Sequence, residues 1–148
     1  MDMAPRNTDN NAPQWAVDHE EFIMTIEDFE QALQQSSRTR LSNQQATTNN
    51  FHGANLDPPD APLCRFRKVN RDIGCALPGA PNKHRPTPVL NVGDLVPHEF
   101  FPASFRDLLR WRHRQINELS MLLNDDFEVQ ARDSLRTRRN RVRHYLSS

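Results

Sequence analysis

The middle of the chain carries four side chains of the types that bind zinc, namely Cys64, Cys75, His84 and His98. Structural zinc sites usually contain a close pair of ligands, with about two to four residues between them, and this pair preorganises the site. Here ten, eight and thirteen residues separate successive candidates, so the sequence contains no close pair. We therefore expect free thiols and loop histidines, with no metal and no other cofactor.

Cys75 allows a second interpretation, because nearby cations can activate a thiol as a nucleophile. It follows four cations in the stretch RFRKVNRDIGCA, residues 65–76. A thiol catalyst also needs a base and an oxyanion hole on a rigid scaffold, and the prolines that flank this segment argue against such a scaffold. The chain's four glycines form no phosphate-binding motif either. The sequence therefore predicts a protein that is not an enzyme.

The C-terminal stretch RTRRNRVRH, residues 136–144, is a dense basic cluster. Clusters of this kind are typical of nuclear import signals and of surfaces that contact nucleic acid. The aromatic side chains on which single-stranded bases stack are missing around it, so we expect any role with RNA to be indirect. The alternative is a solvated helix face. The import-like or RNA-contacting residues are Arg136, Arg138, Arg139, Arg141 and Arg143.

The composition limits how much of the chain can fold. Leu, Ile, Val and Phe make up 33 of the 148 residues, and the chain contains 11 prolines. Little apolar area is then available to offset the entropy lost on ordering. We predict a mostly disordered chain with short α-helices, at most a C-terminal helical hairpin, and no large independent core.

The net charge of zero hides two opposite poles. Residues 1–60 contain 10 acidic and 3 basic residues, whereas residues 101–148 contain 6 acidic and 10 basic residues. Nearly all the cations are arginine, which favours fork-like pairing with phosphate or carboxylate groups. The sequence has no apolar run long enough for a membrane span and no N-terminal signal pattern. We expect no membrane association and a location in the cytoplasm and nucleus.

Residues 15–35 have the pattern of an acidic amphipathic helix, with apolar side chains at helical spacing and acidic side chains on the other faces. A leucine-type nuclear export signal has the same pattern and docks as a helix in a groove. The export-like residues are Phe22, Ile26, Phe29 and Leu33. A similar pattern in INELSMLL, residues 116–123, is better explained by core packing.

Three segments show no hydrophobic period. They are predicted to be a disordered tail over 1–14, a disordered linker over 36–62 and a proline-rich linker over 80–101. Each proline in the last segment removes a backbone donor and restricts the residue before it. We therefore expect only turns and local extended structure there.

Residues 102–146 are predicted to be a helical segment that ends in the basic cluster. Pro102 and Ser104, with Asp107 three residues later, have the pattern of a helix start. A second helix is predicted to begin at the NDD sequence, residues 124–126, and to run through Tyr145. Two helices of this size cannot bury both apolar stripes alone, so we expect them to pack on each other loosely or on another chain.

Residues 63–79 are predicted to be a linear motif that binds a partner. Their apolar residues recur at a helical spacing, although a short added strand is an alternative. Large side chains without a core of their own indicate a segment that becomes ordered on a partner; the alternative is packing on the C-terminal helices. The predicted partner-binding residues are Arg65, Phe66, Val69, Arg71, Ile73 and Cys75.

The stretch RKVNRDIGCA, residues 67–76, resembles the short motif of the small adaptor proteins of the nematode PETISCO complex. The chain's size, its Asn/Gln-rich segments, the export-like helix and the basic cluster are similar to the piRNA-induced silencing defective type of these adaptors. The resemblance implies docking on a dimer of the enhancer-of-rudimentary homologue, with Phe66, Val69 and Ile73 as buried anchors and Arg71 as a fixed cation. It also implies that the adaptor commits a shared complex to maturation of piRNA (21U-RNA) precursors.

The leading hypothesis is therefore a non-enzymatic adaptor that shuttles between nucleus and cytoplasm, with perinuclear granules as a further location. It docks on a folded protein through residues 63–79. An RNA-binding protein that uses the arginine-rich C-terminal helices is the first alternative. A helical subunit of a larger assembly is the second.

Overall fold

The computed structural model describes residues 14–54, 60–79, 81 and 84–148, with side chains from residue 25 onward. The chain forms two compact units, residues 1–35 and 36–148. The described residues contain four helices, one 3₁₀ turn at His98–Phe100, and extended segments between them. The helices are α1 (Gln14–Ala54), α2 (Phe105–Leu108), α3 (His113–Leu123) and α4 (Leu135–Ser147). Within these ranges no β-strand occurs, and an antiparallel bridge joins Arg67 to Leu95. The predicted helical class is confirmed, whereas the predicted disorder is not shown.

The first part of α1 contains the helix predicted for residues 15–35. Three of its export-like side chains, Ile26, Phe29 and Leu33, are exposed. The fourth, Phe22, lies outside the residues whose side chains are described, as does the whole of the predicted tail. This part of the helix thus displays an apolar row on a segment that is rich in acidic residues.

The second part of α1, residues 36–54, is helical where the sequence predicts a linker. Its buried side chains, Thr39, Ala46 and Asn50, are small or polar. They are seven and four residues apart, which places them on one face of the helix. Hydrophobic periodicity does not reveal this helix, because its packed face contacts the rest of the unit through hydrogen bonds. No proline interrupts the stretch, so nothing in the backbone prevents the helix from continuing.

Two asparagines of α1 bind the extended segment that follows. Asn43 Nδ2 donates to Arg67 O over 2.8 Å, and Asn43 Oδ1 accepts from Arg67 N over 2.7 Å. Asn50 repeats this pairing with the N–H and C=O of Cys64, at 2.7 and 3.2 Å, and also donates to Leu146 O in α4. Each side-chain amide therefore pairs with the backbone as a neighbouring strand would.

The other edge of the same extended segment pairs with residues 93–96. Phe66 O accepts from Val96 N over 3.0 Å, and Lys68 bonds through both its backbone N and its backbone O. Residues 64–68 therefore run between α1 on one side and a second extended segment on the other. The helical spacing of apolar residues in 63–79 does not produce a helix, and the predicted alternative of a strand-like segment is nearer to the structure.

The second unit has one continuous core, where the sequence predicts no large independent core. Its members come from extended segments and loops as well as helices, so no single helical stripe reveals it. Packing on the C-terminal helices is the alternative that the sequence leaves open for residues 63–79. This alternative explains the burial of Phe66 and Leu77. The buried apolar residues are Ala46, Phe66, Leu77, Val96, Phe100, Phe101, Phe105, Leu108, Trp111, Ile116, Leu119, Leu122, Leu123, Phe127, Val129, Val142 and Leu146.

Serine residues cap the start of two of the C-terminal helices, α2 and α4. Ser104 accepts from Asp107 N over 3.1 Å at the start of α2, as the sequence predicts. The second predicted helix begins later than expected: α4 starts at Leu135, where Ser134 accepts from Thr137 N over 3.2 Å. The intervening residues form a loop because Phe127 and Val129 turn inward from non-helical positions to join the core. Core packing of residues 116–123 in α3 is confirmed.

The proline-rich segment predicted as a linker is attached to α3 by a buried carboxylate. Glu118 accepts from the Arg85 side chain at 2.9 and 3.0 Å and from Arg85 N at 2.7 Å, and it also pairs with Arg114. Burial opposes ionisation of Glu118, but the hydrogen bonds from Arg85 and the charge of Arg114 hold its pKa below the usual value. Arg85 also lies 4.5 Å over the ring of Phe100. Arg85 therefore attaches the first part of this segment to α3, while residues 93–96 of the same segment pair with residues 66–68.

Arg138 in α4 is completely buried. Its guanidinium donates to four backbone carbonyls, those of Pro78, Gln130, Ala131 and Asp133. The chain passes very close at Gly79, whose φ is 72°, and an added Cβ there would lie 2.1 Å from Ala131 O. The side chain thus joins two irregular segments to α4 where no ladder hydrogen bonds are available.

We expect His113, the first residue of α3, to make stability depend on pH. Burial lowers its pKa from 6.5, and the charges of Arg138 and Arg139 lower it further. The unfolded chain therefore binds this proton at a higher pH than the folded chain does, so stability falls as the pH drops below about 6.5. We expect His113→Gln to reduce the loss in urea midpoint between pH 7.5 and pH 5.5. The exposed His84→Gln is the control, and an equal effect of both changes would contradict the assignment.

Candidate docking surface

The motif loop, residues 69–76, is tied to the C-terminal end of α3. Asn70 Nδ2 donates to Asn124 O over 3.1 Å, and Asn124 Nδ2 donates to Arg71 O over 2.7 Å. The backbone N of Gly74 donates to Met121 O over 2.8 Å. Side-chain and backbone bonds therefore hold the loop at both ends of its exposed turn.

Lys68 fixes the entrance to the motif loop. It is only 1% exposed, and its Nζ donates to the carbonyls of Asp72 and Leu122. Burial lowers the pKa of Lys68, while the nearby Asp72 carboxylate raises it in part. The ammonium group therefore connects the loop to α3, because it donates to one carbonyl oxygen from each of them.

Steric fit restricts the motif loop further. An added Cβ at Gly74 would lie 3.1 Å from Asn124 Cα and from Ser120 O. Asp72 and Asn124 both have left-handed backbone conformations, with φ of 66° and 50°. Asp and Asn adopt this region more readily than other residues do. The loop therefore has a defined shape before any partner is present.

The loop displays part of the predicted partner-binding set. Arg71, Ile73 and Cys75 are exposed, and 42% of Ile73 is accessible. Val69 is half-buried, as is Arg65, which donates to Val96 O over 2.9 Å. The structure thus divides the motif into residues that hold it and residues that face solvent.

Phe66 lies in the core and is not an exposed anchor. Its ring centroid lies 5.5 Å from that of Tyr145 and 6.1 Å from that of Phe101. The sequence predicts Phe66 to be an anchor that a partner would bury. In the structure the aromatic cluster already buries Phe66, so it is not available to a partner. The exposed remainder of the predicted set forms a smaller surface.

A second loop, residues 124–128, borders the motif loop. Asp125 and Asp126 accept hydrogen bonds from the backbone N–H groups of Phe127 and Glu128, at 2.9 and 2.8 Å. Phe127 and Glu128 have φ of 52° and 62°. Positive φ is rare for a phenylalanine, and the packing of its ring 4.8 Å from Tyr145 compensates for the strain. Burial and the Asp125 carboxylate raise the pKa of Tyr145.

Three shallow clefts meet at Asp125, with volumes of about 450, 510 and 530 Å³. One is lined by the motif-loop backbone around Cys75 and by the 124–126 segment. The other two contain Tyr145 and His144 from α4, and one of them extends to Asn43 of α1. The exposed loop therefore stands beside concave surface that another protein could fill.

The five arginines of the basic cluster have different environments. Arg138 is buried, and Arg141 pairs with Asp133 at 2.6 Å. Arg139 donates to Trp111 O over 2.7 Å, and Arg143 lies 4.9 Å over the ring of Phe105. Arg136 is exposed. The predicted single basic stretch is therefore divided, because successive arginines point to different sides of α4.

The described residues contain no group of three or more His, Cys, Asp or Glu side chains placed to hold a metal ion. Cys64 and Cys75 are free thiols, the first half-buried and the second exposed. In the same part of the chain, no helix is both long enough and apolar enough to cross a membrane.

Sequence reasoning missed Lys68, Asn70 and Asn124, which shape the motif loop. The sequence presents Lys68 as one more cation in a basic run and Asn70 as an ordinary loop residue, and it predicts Asn124 at the start of the second C-terminal helix. The signal available in the sequence was the NDD turn after an apolar stripe, since Asn is favoured where a helix ends in the left-handed region.

Comparison of the chain with protein families, curated proteins and solved structures gives no match.

Proposed function

We propose that this protein is a non-enzymatic adaptor that docks on a folded protein through the motif loop. The observation that carries the proposal is a loop that is both fixed and exposed. Lys68 and Asn124 hold its backbone, while Arg71 and Ile73 face solvent. A binding loop held in its bound shape loses little conformational entropy on association, which favours affinity.

The chemistry of the loop suits a mixed protein surface. Ile73 provides an apolar anchor, and Arg71 provides a planar cation that can pair with a carboxylate. Cys75 is small enough to be covered at the edge of such a contact. The resemblance described above supplies the partner to be tested, a dimer of the nematode enhancer-of-rudimentary homologue. The corresponding role is to direct a complex to piRNA precursor processing.

The proposed location follows from the first part of α1. Ile26, Phe29 and Leu33 are exposed on a helix that is rich in acidic residues. This is the pattern that an export receptor binds in a groove. The adaptor would then move between nucleus and cytoplasm, with perinuclear granules as a further site.

The test uses the full chain and the purified enhancer-of-rudimentary homologue dimer in titration calorimetry. We expect the Arg71→Glu/Ile73→Glu variant to bind at least about tenfold more weakly, because an anchor and a cation are lost together. The matched control is Arg38→Glu/Val89→Glu, which changes the net charge by the same amount at two exposed residues outside the motif loop; Val89 is 71% exposed. Equal affinity of the double variant and the unmodified chain would overturn the proposal. Circular dichroism establishes that both variants remain folded.

A further inference from the structure

The contact of Arg139 with Trp111 brings two arginine-containing parts of the sequence together at one surface of the second unit. We call this surface the basic face; its members are Arg110, Arg112, Arg136, Arg139 and Arg143. Arg139 Nε donates to Trp111 O over 2.7 Å, which places its guanidinium beside the residue that Arg110 and Arg112 flank. Arg136, Arg139 and Arg143 are three and four residues apart, so they share one side of α4.

The carboxylates near the basic face are engaged elsewhere. Glu118 binds Arg85 and Arg114, and Asp133 binds Arg141. The side chain of Asp107 accepts from Ala103 N over 3.1 Å. Among the described residues, no carboxylate lies within ion-pair distance of the five arginines of the basic face. These five arginines therefore form no ion pair with any carboxylate in the described part of the protein.

Two of the five guanidinium groups are held in place. Arg139 is fixed by Trp111 O, and Arg143 lies 4.9 Å over the ring of Phe105. A guanidinium fixed on one side still presents its remaining N–H groups to a ligand, and this fork matches the oxygens of a phosphate. Holding the side chains in advance reduces the entropy that binding would otherwise cost.

The aromatic residues beneath the basic face are inaccessible. Trp111 is 4% exposed and Phe105 is 3% exposed. A nucleic-acid base therefore finds no ring on which to stack, and the contacts left are those to the backbone phosphates. Such contacts carry no sequence information.

We infer that the basic face binds the phosphate backbone of nucleic acid directly and without sequence preference. The inference differs from the sequence-based expectation, which gives RNA only an indirect role, and it also changes the set of arginines. It excludes Arg138, which is buried, and Arg141, which is paired with Asp133, and it adds Arg110 and Arg112 from the α2–α3 connection. It rests on residues outside the motif loop, so it is independent of the proposed docking function.

The test is fluorescence anisotropy of the full chain with a labelled single-stranded RNA of mixed sequence. Neutralisation of three to five phosphates predicts that affinity falls about 20- to 100-fold between 50 and 200 mM salt. The Arg110→Glu/Arg136→Glu variant, which reverses two exposed charges, is expected to reduce affinity at least about tenfold at 50 mM salt.

The matched control is Arg38→Glu/Arg40→Glu, which changes the net charge equally at two exposed residues and lies outside both the basic face and the motif loop. We expect it to retain RNA affinity within about twofold. Equal losses in the two variants would show an effect of net charge alone and overturn the inference, as would unchanged binding by the basic-face variant. Tighter binding to phosphatidylserine vesicles than to RNA would also overturn it. Measuring the same variants against the enhancer-of-rudimentary homologue dimer separates this surface from the docking site.

Discussion

Arg138→Leu is expected to lower the free energy of unfolding by about 3 to 5 kcal/mol. The substitution removes a guanidinium that is completely buried and that donates to the carbonyls of Pro78, Gln130, Ala131 and Asp133. Leucine fills much of the volume but donates no hydrogen bond, so these carbonyls would be left in the interior without that donor. Urea denaturation followed by circular dichroism measures the change.

The control for this prediction lies on the same helix. Arg136→Leu replaces an exposed arginine two residues earlier, and we expect a change within about 0.5 kcal/mol. Arg138→Lys should recover only part of the stability, because an ammonium group lacks the planar fork that reaches several carbonyls at once. Equal destabilisation by Arg136→Leu and Arg138→Leu would contradict the role assigned to the buried guanidinium.

Asn50→Leu is expected to destabilise the second unit by about 2 to 3 kcal/mol. The amide of Asn50 binds the N–H and C=O of Cys64 and the C=O of Leu146, and the residue is buried. Leucine is a strong helix former, so a loss of stability would come from the missing hydrogen bonds and not from helix propensity. Urea denaturation gives the magnitude, and hydrogen exchange at the Cys64 amide shows where protection is lost.

Gln45→Leu provides the comparison for Asn50→Leu. Gln45 is an exposed residue of the same stretch of α1, so its replacement should leave both the urea midpoint and the exchange at Cys64 nearly unchanged. If the two variants behave alike, residues 36–54 do not pack as the structure has them. A linker in this region, as the sequence suggested, would produce that result.

The sequence predicts some helices well because their signals are local. Ser104 with Asp107 three residues later marks the start of α2, and the apolar spacing of residues 116–123 marks the buried face of α3. These features depend on neighbours in the chain, and helix capping and periodicity describe them directly.

The second part of α1 and the size of the core could not be predicted in this way. The residues that pack this part of α1 are polar: Thr39, Asn43 and Asn50. The two asparagines bind partners that lie 14 or more residues away in the sequence. The core takes Phe127 from a loop and Val96 from an extended segment. Contacts of this kind depend on tertiary structure, and local propensity carries no information about them.

The sequence indicates the segment that carries the exposed loop but not the shape of that loop. The exposed positions of Arg71, Ile73 and Cys75 fall within the predicted motif, whereas Phe66 belongs to the core. The basic cluster shows the same limitation, because residues that are consecutive in a helix face different directions. Only three-dimensional placement separates buried Arg138 from the arginines of the basic face.

The pairing of Asn43 and Asn50 with residues 64–67 also bears on aggregation. An extended segment with one unpaired edge can recruit a strand from another molecule, and proteins avoid this by covering such edges. Here residues 93–96 occupy one edge and the two asparagines of α1 occupy the other. While α1 stays in place, neither edge of the segment is free for intermolecular β-pairing. The short polar face of α1 therefore protects the protein from self-association through this segment.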